Sequence, residues 1–598
     1  MKGNKREPKA APKSVRARRG GPGGSGRTVP AAVADRPNRP ERPKRWLWLL
    51  AFLIAAAAVF EVYGPALNGP FLLDDSYLPY MRPGWDDMPL WMWLRGVRPL
   101  LMLSFWLNFQ WSQHNPFSYH VVNVVMHILN GCLVFAIASR ILSKLDMDLW
   151  RRRTLAAFGG ALFLFHPLQT ESVAYVASRS ETLSVFFVYV ALGVFLWRRR
   201  EAVSWGRSLA VLAIFAAACL TKEHTLVLPA LLLLTDYYWN PGFSVRGIVR
   251  NWRLYIPLAA LGVAGALSVV PLLVFSTSAG FHVKGLTWTQ YFFTQCRAIW
   301  VYLGKFVLPI HQNIDYEFAI SRTLTDHGAI FGLLALAMVT AAAWLYRRRV
   351  PLASYGWFAF LILIAPTSSF VPIQDPLVER RLYLPFIGLV FVVLELLRRW
   401  RATRRVLAVT LALIIVAEAW AAWQRNQLWG DRIAMWQDSA RQSPGKVRPQ
   451  FQLAHAYYKL GQFGESVEEY EKAARIEPPK YDLLVDWGIA LAYAGRTDEA
   501  LAKLQRAATL ERSAYVYTQI AMVDGRAGRY AEALAALDTA ETIDSRFELI
   551  FEYRGTVYFK QRDPLRAAAE FRRGLAIEPS NDRLRGMLVQ AEQAAGKP

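Results

Sequence analysis

The sequence predicts an all-α protein in two parts: a polytopic membrane domain of about eleven transmembrane helices, and then an α-solenoid of helical repeats. Hydrophobic residues make up 54% of the 598 residues, which is too apolar for an ordinary soluble protein. Long apolar runs fill residues 46–423, whereas shorter runs and more charges follow from about residue 447. The change in pattern predicts two structural domains joined by a linker helix over 424–446.

The first 45 residues differ from the rest in charge. They contain 14 Lys and Arg against 3 Asp and Glu, and they are rich in Pro, Gly and Ala. Such a segment is predicted to be disordered. We interpret residues 1–45 as the cytoplasmic flank of a signal anchor; a nucleic-acid tail is the alternative, and no nucleic-acid partner is expected. The apolar run that follows is long and starts late, which argues against a cleavable signal peptide.

Eleven apolar runs are predicted to cross the membrane, since most approach the ~20 residues that a bilayer core requires. The runs are 46–63, 118–139, 154–168, 180–197, 208–221, 224–239, 254–275, 327–346, 354–371, 383–397 and 406–423. Two of them, 154–168 and 208–221, are short for a core of ~30 Å. Both end at the same predicted face, where we expect them to leave a polar recess.

The basic loop clusters give the predicted orientation, because Lys and Arg concentrate on the cytoplasmic side. With eleven spans every dense basic cluster falls on one side. Counting residues 290–310, which include Arg297 and Lys305, as another span would move two clusters to the other side. We therefore expect 290–310 to be an interfacial or re-entrant helix on the outer side. The N-terminus is then cytoplasmic, and the C-terminal domain is periplasmic or otherwise extracytoplasmic, at the inner membrane.

Residues 447–598 repeat a pattern of paired helices. Gly461, Gly495 and Gly528 begin equivalent stretches at spacings of 34 and 33 residues. A small residue and then a large apolar residue follow at fixed places in each unit: Ser466 and Tyr470, Ala500 and Leu504, Ala533 and Leu537, Ala567 and Phe571. This is the tetratricopeptide pattern. It predicts four repeats plus a capping helix, with a concave surface for peptides or proteins.

The loops predicted to face outward contain the candidate site residues. Charges at membrane depth are expensive and mark functional cavities. The candidates are Asp74, Asp75, Arg98, His166, Glu171, Arg179, Glu181, Lys222, Glu223, Arg380, Arg381 and Tyr383. Structural interpretations stay open: the aspartates cap a turn, and His166 ends a short helix. Glu171, Glu181 and Glu223 pair with Arg179 and Lys222, and Arg380 and Arg381 belong to a helix cap.

These residues stand in stretches that resemble the TMTC proteins, the transmembrane and tetratricopeptide-containing O-mannosyltransferases within the GT-C class of membrane glycosyltransferases. The order and spacing of the stretches agree across about 46–581. They are residues 71–76, 98–100, 115–127, 166–181, 221–223, 313–318, 366–369 and 379–385. The Arg- and Ala-rich composition is typical of a bacterial chain, which suggests an undecaprenyl carrier and leaves the sugar open.

The resemblance implies a GT-C-like fold for 46–423 and an inverting transfer of a sugar, with mannose as one candidate, from a polyprenyl-phosphate donor to Ser or Thr of proteins. It implies neither a nucleotide nor a metal or other cofactor. Such a reaction needs a carboxylate as general base, for which Asp74 and Asp75 are equal candidates. It also needs cations for the phosphate, for which Arg98, Arg179, Lys222, Arg380 and Arg381 are available. The repeats would bind the acceptor protein or peptide, and membrane lipid would surround the helices.

Two other functions are considered. One is a non-catalytic scaffold whose repeats recruit envelope proteins, although one helix would suffice as its anchor. The other is a lipid or solute transporter, although transporters commonly have two related halves. His120 and His127 share a helix face and are interpreted as interhelical hydrogen-bonding residues, with metal binding as the alternative. Cys132, Cys219 and Cys296 lie in apolar segments, which indicates neither a disulfide framework nor a zinc site.

Overall fold

The computed structural model describes residues 45–81, 85, 88–198, 200–276 and 278–596. The chain forms two compact units, residues 1–53 and 54–598. Of the first unit, the described part is the beginning of one helix. The tail predicted to be disordered, residues 1–45, therefore lies outside the described residues except for Arg45, where that helix begins.

The described residues form helices and loops but no β-strand, which confirms the all-α prediction; Ala279 and Ile373 form an isolated bridge. The helices that precede the repeats are α1 Arg45–Tyr63, α2 Leu90–Trp93, α3 Pro99–Ser112, α4 Pro116–Leu142, α5 Leu149–Phe165, α6 Thr170–Ala174, α7 Arg179–Leu196, α8 Trp205–Cys219, α9 Leu228–Trp239, α10 Arg246–Arg250, α11 Trp252–Phe275, α12 Trp288–Val307, α13 Ala329–Leu345, α14 Pro351–Ile364, α15 Phe386–Arg399, α16 Arg404–Gly430 and α17 Arg432–Gln442.

Every predicted apolar run overlaps one of these helices. Six segments of the described chain are long and apolar enough to cross a membrane: Leu49–Ala66, Pro116–Leu142, Val176–Leu196, Trp252–Phe275, Asp326–Leu345 and Arg404–Gly430. Helices α8 and α14 are shorter apolar helices. The chain is therefore a membrane protein, while eleven stays the predicted number of spans.

Several of the membrane helices begin at local capping signals. The Asn115 side chain accepts a hydrogen bond from the Phe117 N–H at the start of α4, where Pro116 is the first helical residue. Ser204 and Thr403 cap α8 and α16 in the same way. Each cap satisfies an N–H group that has no partner inside its helix. The sequence thus determines these helix starts before any tertiary contact forms.

A close helix crossing in the core of the membrane part lies between α14 and α15. A Cβ atom added at Gly356 would lie 2.4 Å from the Gly388 carbonyl oxygen, and one added at Gly388 would lie 2.6 Å from the Gly356 carbonyl oxygen. Only glycine permits this approach, as at other small-residue interfaces in membranes. Tyr355 and Phe391 pack beside the crossing and are fully buried or nearly so.

The repeats consist of paired helices, as the period predicts. They are α18 Val447–Lys459, α19 Phe463–Ile476, α20 Tyr481–Tyr493, α21 Thr497–Leu510, α22 Ala514–Arg526, α23 Tyr530–Ile543, α24 Glu548–Lys560, α25 Pro564–Ile577 and α26 Asp582–Ala594. Gly461, Gly495 and Gly528 have φ values of 75°, 81° and 80°, which glycine adopts without strain. Ser466 and its counterparts in the other units are fully buried, where a larger side chain would separate the paired helices.

The segment predicted as a linker helix, 424–446, is built from two helices. Helix α16 runs without a break through residue 423 to Gly430, and α17 follows after Asp431. Asp431 accepts hydrogen bonds from the Ile433 and Ala434 N–H groups, which caps α17. The chain therefore turns at Asp431 before the first repeat begins.

A charged cluster fastens the first repeat to the loops of the membrane part. The Asp315 carboxylate is almost fully buried and accepts hydrogen bonds from Lys446 and from Arg448. The Arg448 guanidinium also reaches Asp375, with Nη2 2.9 Å from Oδ1. The Asn313 amide adds a hydrogen bond of 2.9 Å to the Ser443 hydroxyl. These contacts hold α18 beside the loop that contains Asp74 and Asp75.

Candidate functional site

The aspartate pair lies in a short 3₁₀ helix, Leu73–Tyr77, and its two members face different surroundings. Asp75 is 1% exposed. Its Oδ1 accepts a hydrogen bond of 2.7 Å from the Ala177 N–H, and its Oδ2 accepts one of 2.9 Å from the Leu72 N–H. Burial raises the pKa of Asp75 to about 7, while the two N–H donors favour the ionised form. Asp75 thus ties the loop to the segment before α7.

Asp74 is the exposed member of the pair. Its backbone N–H donates a 2.8 Å hydrogen bond to the Tyr175 hydroxyl, which leaves the carboxylate outside that contact. The preceding residue, Leu73, has φ 48°, a left-handed conformation that costs a non-glycine residue roughly 1 kcal/mol or more. The strained turn and the anchored Asp75 together present the Asp74 side chain outward.

Asp74 lines a cavity of about 360 Å³ between its loop and the first repeat. Helix α17 contributes Arg432 and Trp436 to the wall. The repeats contribute Arg448, Phe451, Gln452, His455 and Asp486. Nothing in the sequence signals that these repeat residues share a cavity with Asp74, because they are nearly 400 positions away.

Three predicted cations each pair with one predicted carboxylate. Arg98 forms a bidentate pair with Glu223, in which Nε and Nη2 each lie 2.8 Å from a carboxylate oxygen. Lys222 bonds to Glu181 and also donates to the Ser180 hydroxyl at 3.2 Å. Arg380 Nη1 lies 2.5 Å from Glu171 Oε1, and the Arg380 N–H donates to Oε2 at 3.0 Å. The structural pairing of these glutamates is thus realised, although Glu181 pairs with Lys222 and not with Arg179.

In each of these pairs the side chain of the cation is more exposed to solvent than the side chain of its carboxylate. The Glu171 side chain is 3% exposed against 25% for Arg380, and Glu223 is 16% exposed against 36% for Arg98. Burial would raise the pKa of Glu223, but the bidentate contact with Arg98 holds it below its usual range. The carboxylates therefore position the cations and leave part of each cation accessible.

The three pairs and Asp74 form one cluster, which we call the outer cluster. Burial lowers the pKa of Lys222, and the neighbouring Arg98 and Arg380 charges lower it further. The negative charge of Asp74 in turn raises the pKa of both Arg98 and Arg380. Arg380 also lies over the Tyr175 ring, with its guanidinium carbon 5.6 Å from the ring centre. Tyr175 thus links Asp74 to Arg380, a role that no feature of the sequence indicated.

Arg179, one of the predicted phosphate ligands, does not belong to the accessible part of this cluster. It is 1% exposed. Its guanidinium donates to the side chains of Asn123 and Asn108 at 3.0 and 2.7 Å, and to the carbonyl oxygens of Ser104 and Tyr119. With most of its donors satisfied inside the protein, Arg179 joins α3, α4 and α7.

Three further predicted substrate-binding residues also face inward: Arg381, His166 and Tyr383. Arg381 donates to the carbonyl oxygens of residues 375 and 376 and to the Tyr291 hydroxyl. His166 accepts from the Leu168 N–H and contacts the Phe306 carbonyl oxygen at 2.9 Å. The Tyr383 hydroxyl lies 2.9 Å from His127 Nδ1 and is fully buried.

The recess expected after α5 is filled. Residues 166–176 are buried along their whole length and pack under the outer cluster. His120 and His127 form hydrogen bonds with the carbonyl oxygens of Gly69 and Leu164, as interhelical hydrogen-bonding residues would. Within the described residues, no group of three His, Cys, Asp or Glu side chains is placed to hold a metal ion.

An apolar groove of about 450 Å³ approaches the outer cluster from the membrane side. It is bordered by the loop before α3, by α8 and by α11, with Val97, Ala216 and Leu261 among its lining residues. Its polar end is Glu223, the partner of Arg98. Helix α11, a candidate membrane span, is largely exposed along its length.

The fold defines the class of protein: an all-α membrane protein that carries a tetratricopeptide solenoid. The sequence model of the tetratricopeptide repeat matches residues 447–480. Among solved structures, the chain is similar to MamA, with 20% identity and a TM-score of 0.23, covering 25% of this chain and 89% of that one. It is also similar to YrrB, a TPR protein, with 18% identity and a TM-score of 0.24, covering 31% and 89%.

Curated relatives extend the similarity beyond the repeats. The protein O-mannosyl-transferase TMTC1 of Homo sapiens is 23% identical over 508 residues, which cover 71% of this chain and 55% of the relative. TMTC3 of Mus musculus is 22% identical, covering 81% and 58%. Tmtc1 of Drosophila melanogaster is 37% identical over 138 residues, covering 23% and 15%. The chain is similar to the TMTC proteins, and it spans somewhat more than half the length of the first two relatives.

Proposed function

We propose that the chain is a membrane protein O-glycosyltransferase of the GT-C type. It transfers a sugar, with mannose as the first candidate, from a polyprenyl-phosphate donor to Ser or Thr hydroxyls of acceptor proteins. The relatives named as protein O-mannosyl-transferases support the reaction class. The observation that carries the proposal is the position of Asp74, an exposed carboxylate between a cluster of cations and a cavity bordered by the repeats.

The donor's two chemical parts match two neighbouring features. A polyprenyl chain is apolar and fits the groove between α8 and α11. A phosphate needs cations, and Arg98 stands at the polar end of that groove through its pair with Glu223. Lys222 and Arg380 lie close enough to act on the same anion. No nucleotide is needed, because the lipid phosphate is the leaving group.

Asp74 is the proposed general base. Its carboxylate takes the proton of the acceptor hydroxyl while the hydroxyl oxygen forms a bond to C1 of the sugar. The bond between C1 and the phosphate oxygen breaks, and the electron pair leaves with the polyprenyl phosphate. Attack from the side opposite the leaving group inverts C1. Arg98, Lys222 and Arg380 stabilise the charge that develops on the phosphate.

The acceptor is proposed to enter through the cavity between Asp74 and the first repeat. Gln452 and His455 lie on the repeat side of that cavity, within reach of an extended peptide. The charged contacts of Arg448 with Asp315 and Asp375 hold this wall in place. The reaction then takes place on the face of the membrane where the repeats lie, which the basic loops predict to be the extracytoplasmic face.

The test is transfer of mannose from polyprenyl-phosphate mannose to a Ser/Thr peptide by the purified full-length chain. Asp74→Asn is expected to lower kcat by a factor of roughly 10² to 10⁴, with KM and thermal melting unchanged, because only the base is lost. Asp146→Asn is the matched control, since Asp146 is an exposed aspartate far along the sequence. Asp75→Asn is expected to lower the melting temperature, because its new N–H₂ group faces a backbone N–H donor.

Full activity in Asp74→Asn would reject Asp74 as the base. Absence of transfer by the wild-type chain to both peptide and protein acceptors would instead favour the scaffold function. The role of the repeats is tested by Gln452→Ala with His455→Ala, which should raise KM for a protein acceptor more than KM for a short peptide. Equal effects on both acceptors would contradict acceptor binding by the first repeat.

A further inference from the structure

A second polar pocket lies at the opposite end of α7 from the outer cluster; we call it the basic pocket. It has a volume of about 200 Å³ and is bordered by the ends of α4, α7 and α9. Helix α7 contains 18 residues, so roughly 27 Å separate its two ends. Since α4 and α7 belong to candidate membrane spans and both end here, the basic pocket lies at a membrane surface.

Four cations line the basic pocket: Arg140, Lys144, Arg198 and Arg200. Arg198 is paired with the fully buried Asp236, with Nη2 2.5 Å from Oδ1. The remaining Asp236 oxygen accepts hydrogen bonds from Asn251 and Tyr255 at 2.6 and 2.7 Å. The lining carboxylate, Glu201, is paired with Arg250. Within the described part of the chain, Arg140, Lys144 and Arg200 therefore have no carboxylate partner.

The excess of positive charge in the basic pocket affects the pKa of Lys144, one of its lining residues. Lys144 is exposed overall, yet partial desolvation lowers its pKa, and the neighbouring Arg140 and Arg198 charges lower it further. Arg140 and Lys144 do donate to carbonyl oxygens at the ends of α7 and α9, those of Leu196 and Trp239. Such caps engage only some of the donors that each side chain carries. An anion bound in the pocket would reduce the repulsion that remains among Arg140, Lys144 and Arg198.

One donor of the pocket has no acceptor. Arg198 Nη1 is buried and, among the described residues, has no hydrogen-bond partner. A buried donor without a partner costs on the order of 1–3 kcal/mol, and more when it is charged. Because Asp236 holds the other end of the guanidinium, Arg198 cannot turn away to find water. A phosphate oxygen is the type of acceptor that this nitrogen lacks.

We propose that the basic pocket binds the phosphate of an anionic phospholipid headgroup. A phosphate offers several acceptor oxygens, which suits guanidinium and ammonium donors converging from three helices. The position at the ends of two candidate spans is where headgroup phosphates lie, and basic pockets between membrane helices bind such headgroups. This inference does not depend on the proposed transferase activity, because the basic pocket and the outer cluster lie at opposite ends of α7.

Native mass spectrometry of the detergent-purified full-length chain, titrated with phosphatidylglycerol, tests the proposal. The wild type is expected to retain one lipid tightly, and Lys144→Gln with Arg200→Gln is expected to raise its Kd roughly tenfold or more. Arg246→Gln with Arg405→Gln is the matched control. It removes the same charge from exposed residues in the first turns of α10 and α16, outside the lining of the pocket, and its Kd should equal that of the wild type.

Three results would overturn the proposal. The first is an equal Kd in the pocket variant and the wild type. The second is equally tight binding of phosphatidylethanolamine, which has no net charge. The third is binding of inorganic phosphate as tight as that of the lipid, which would assign a soluble anion instead. The single variant Arg200→Gln, which changes an exposed residue, repeats the test if the double variant melts earlier than the wild type.

Discussion

The two ends of α7 use the same residue types in opposite ways. In the outer cluster Arg98, Lys222 and Arg380 each have their own carboxylate, which holds the cation in place from beneath. In the basic pocket the cations outnumber the carboxylates, and one guanidinium nitrogen has no partner among the described residues. Paired charges preserve a geometry, as a reacting site requires. Unpaired charges of one sign attract an ion from outside.

The largest effect is expected from Arg179→Met, which removes the cation that joins three helices beneath the outer cluster. The change leaves the Asn108 and Asn123 side-chain oxygens without their donors, so thermal unfolding should show a loss of roughly 3 kcal/mol. The exposed Arg246→Met serves as control and should melt like the wild type. Equal melting temperatures of Arg179→Met and Arg246→Met would mean that the hydrogen bonds of Arg179 do not stabilise the helices beneath the outer cluster.

A smaller effect is expected when one pair of the outer cluster is broken. Glu171 is 3% exposed, so Glu171→Gln leaves the Arg380 charge without its counter-ion in a partly buried place. A double-mutant cycle with Arg380→Gln should give a coupling of about 1–2 kcal/mol in thermal stability. The exposed Glu465→Gln provides the control for a lost charge. A coupling free energy near zero would mean that the pair of Glu171 and Arg380 does not stabilise the fold, and it would contradict the difference drawn between the two ends of α7.

The smallest effect on stability is expected at the basic pocket. Arg200 is exposed and forms no ion pair with the described residues, so Arg200→Gln should change the free energy of unfolding by no more than about 0.5 kcal/mol in the absence of added lipid. Thermal melting in detergent without phospholipid measures this. A large loss would show that Arg200 supports the fold, and the comparison between the two ends would fail.

Asp74 and Asp75 show how much of the outer cluster can be predicted from the sequence. Two adjacent carboxylates in an outward loop after an apolar helix indicated a site, but adjacency treats Asp74 and Asp75 alike. The difference arises from backbone N–H groups of Leu72 and Ala177, of which the second is a hundred positions away. Arg179 shows the converse, because its acceptors lie in two other helices, α3 and α4, and leave it no accessible face.

The sequence by itself determined the helices, their approximate bounds and the repeat period, because apolar runs, capping residues and turn glycines act within a few positions. It also placed the charged residues of the outer cluster in the right loops. Only the tertiary structure decided which acid meets which cation, that the recess after α5 is filled, and that the first repeat closes a cavity over Asp74. Pairing and burial depend on contacts between distant segments, and local pattern does not contain that information.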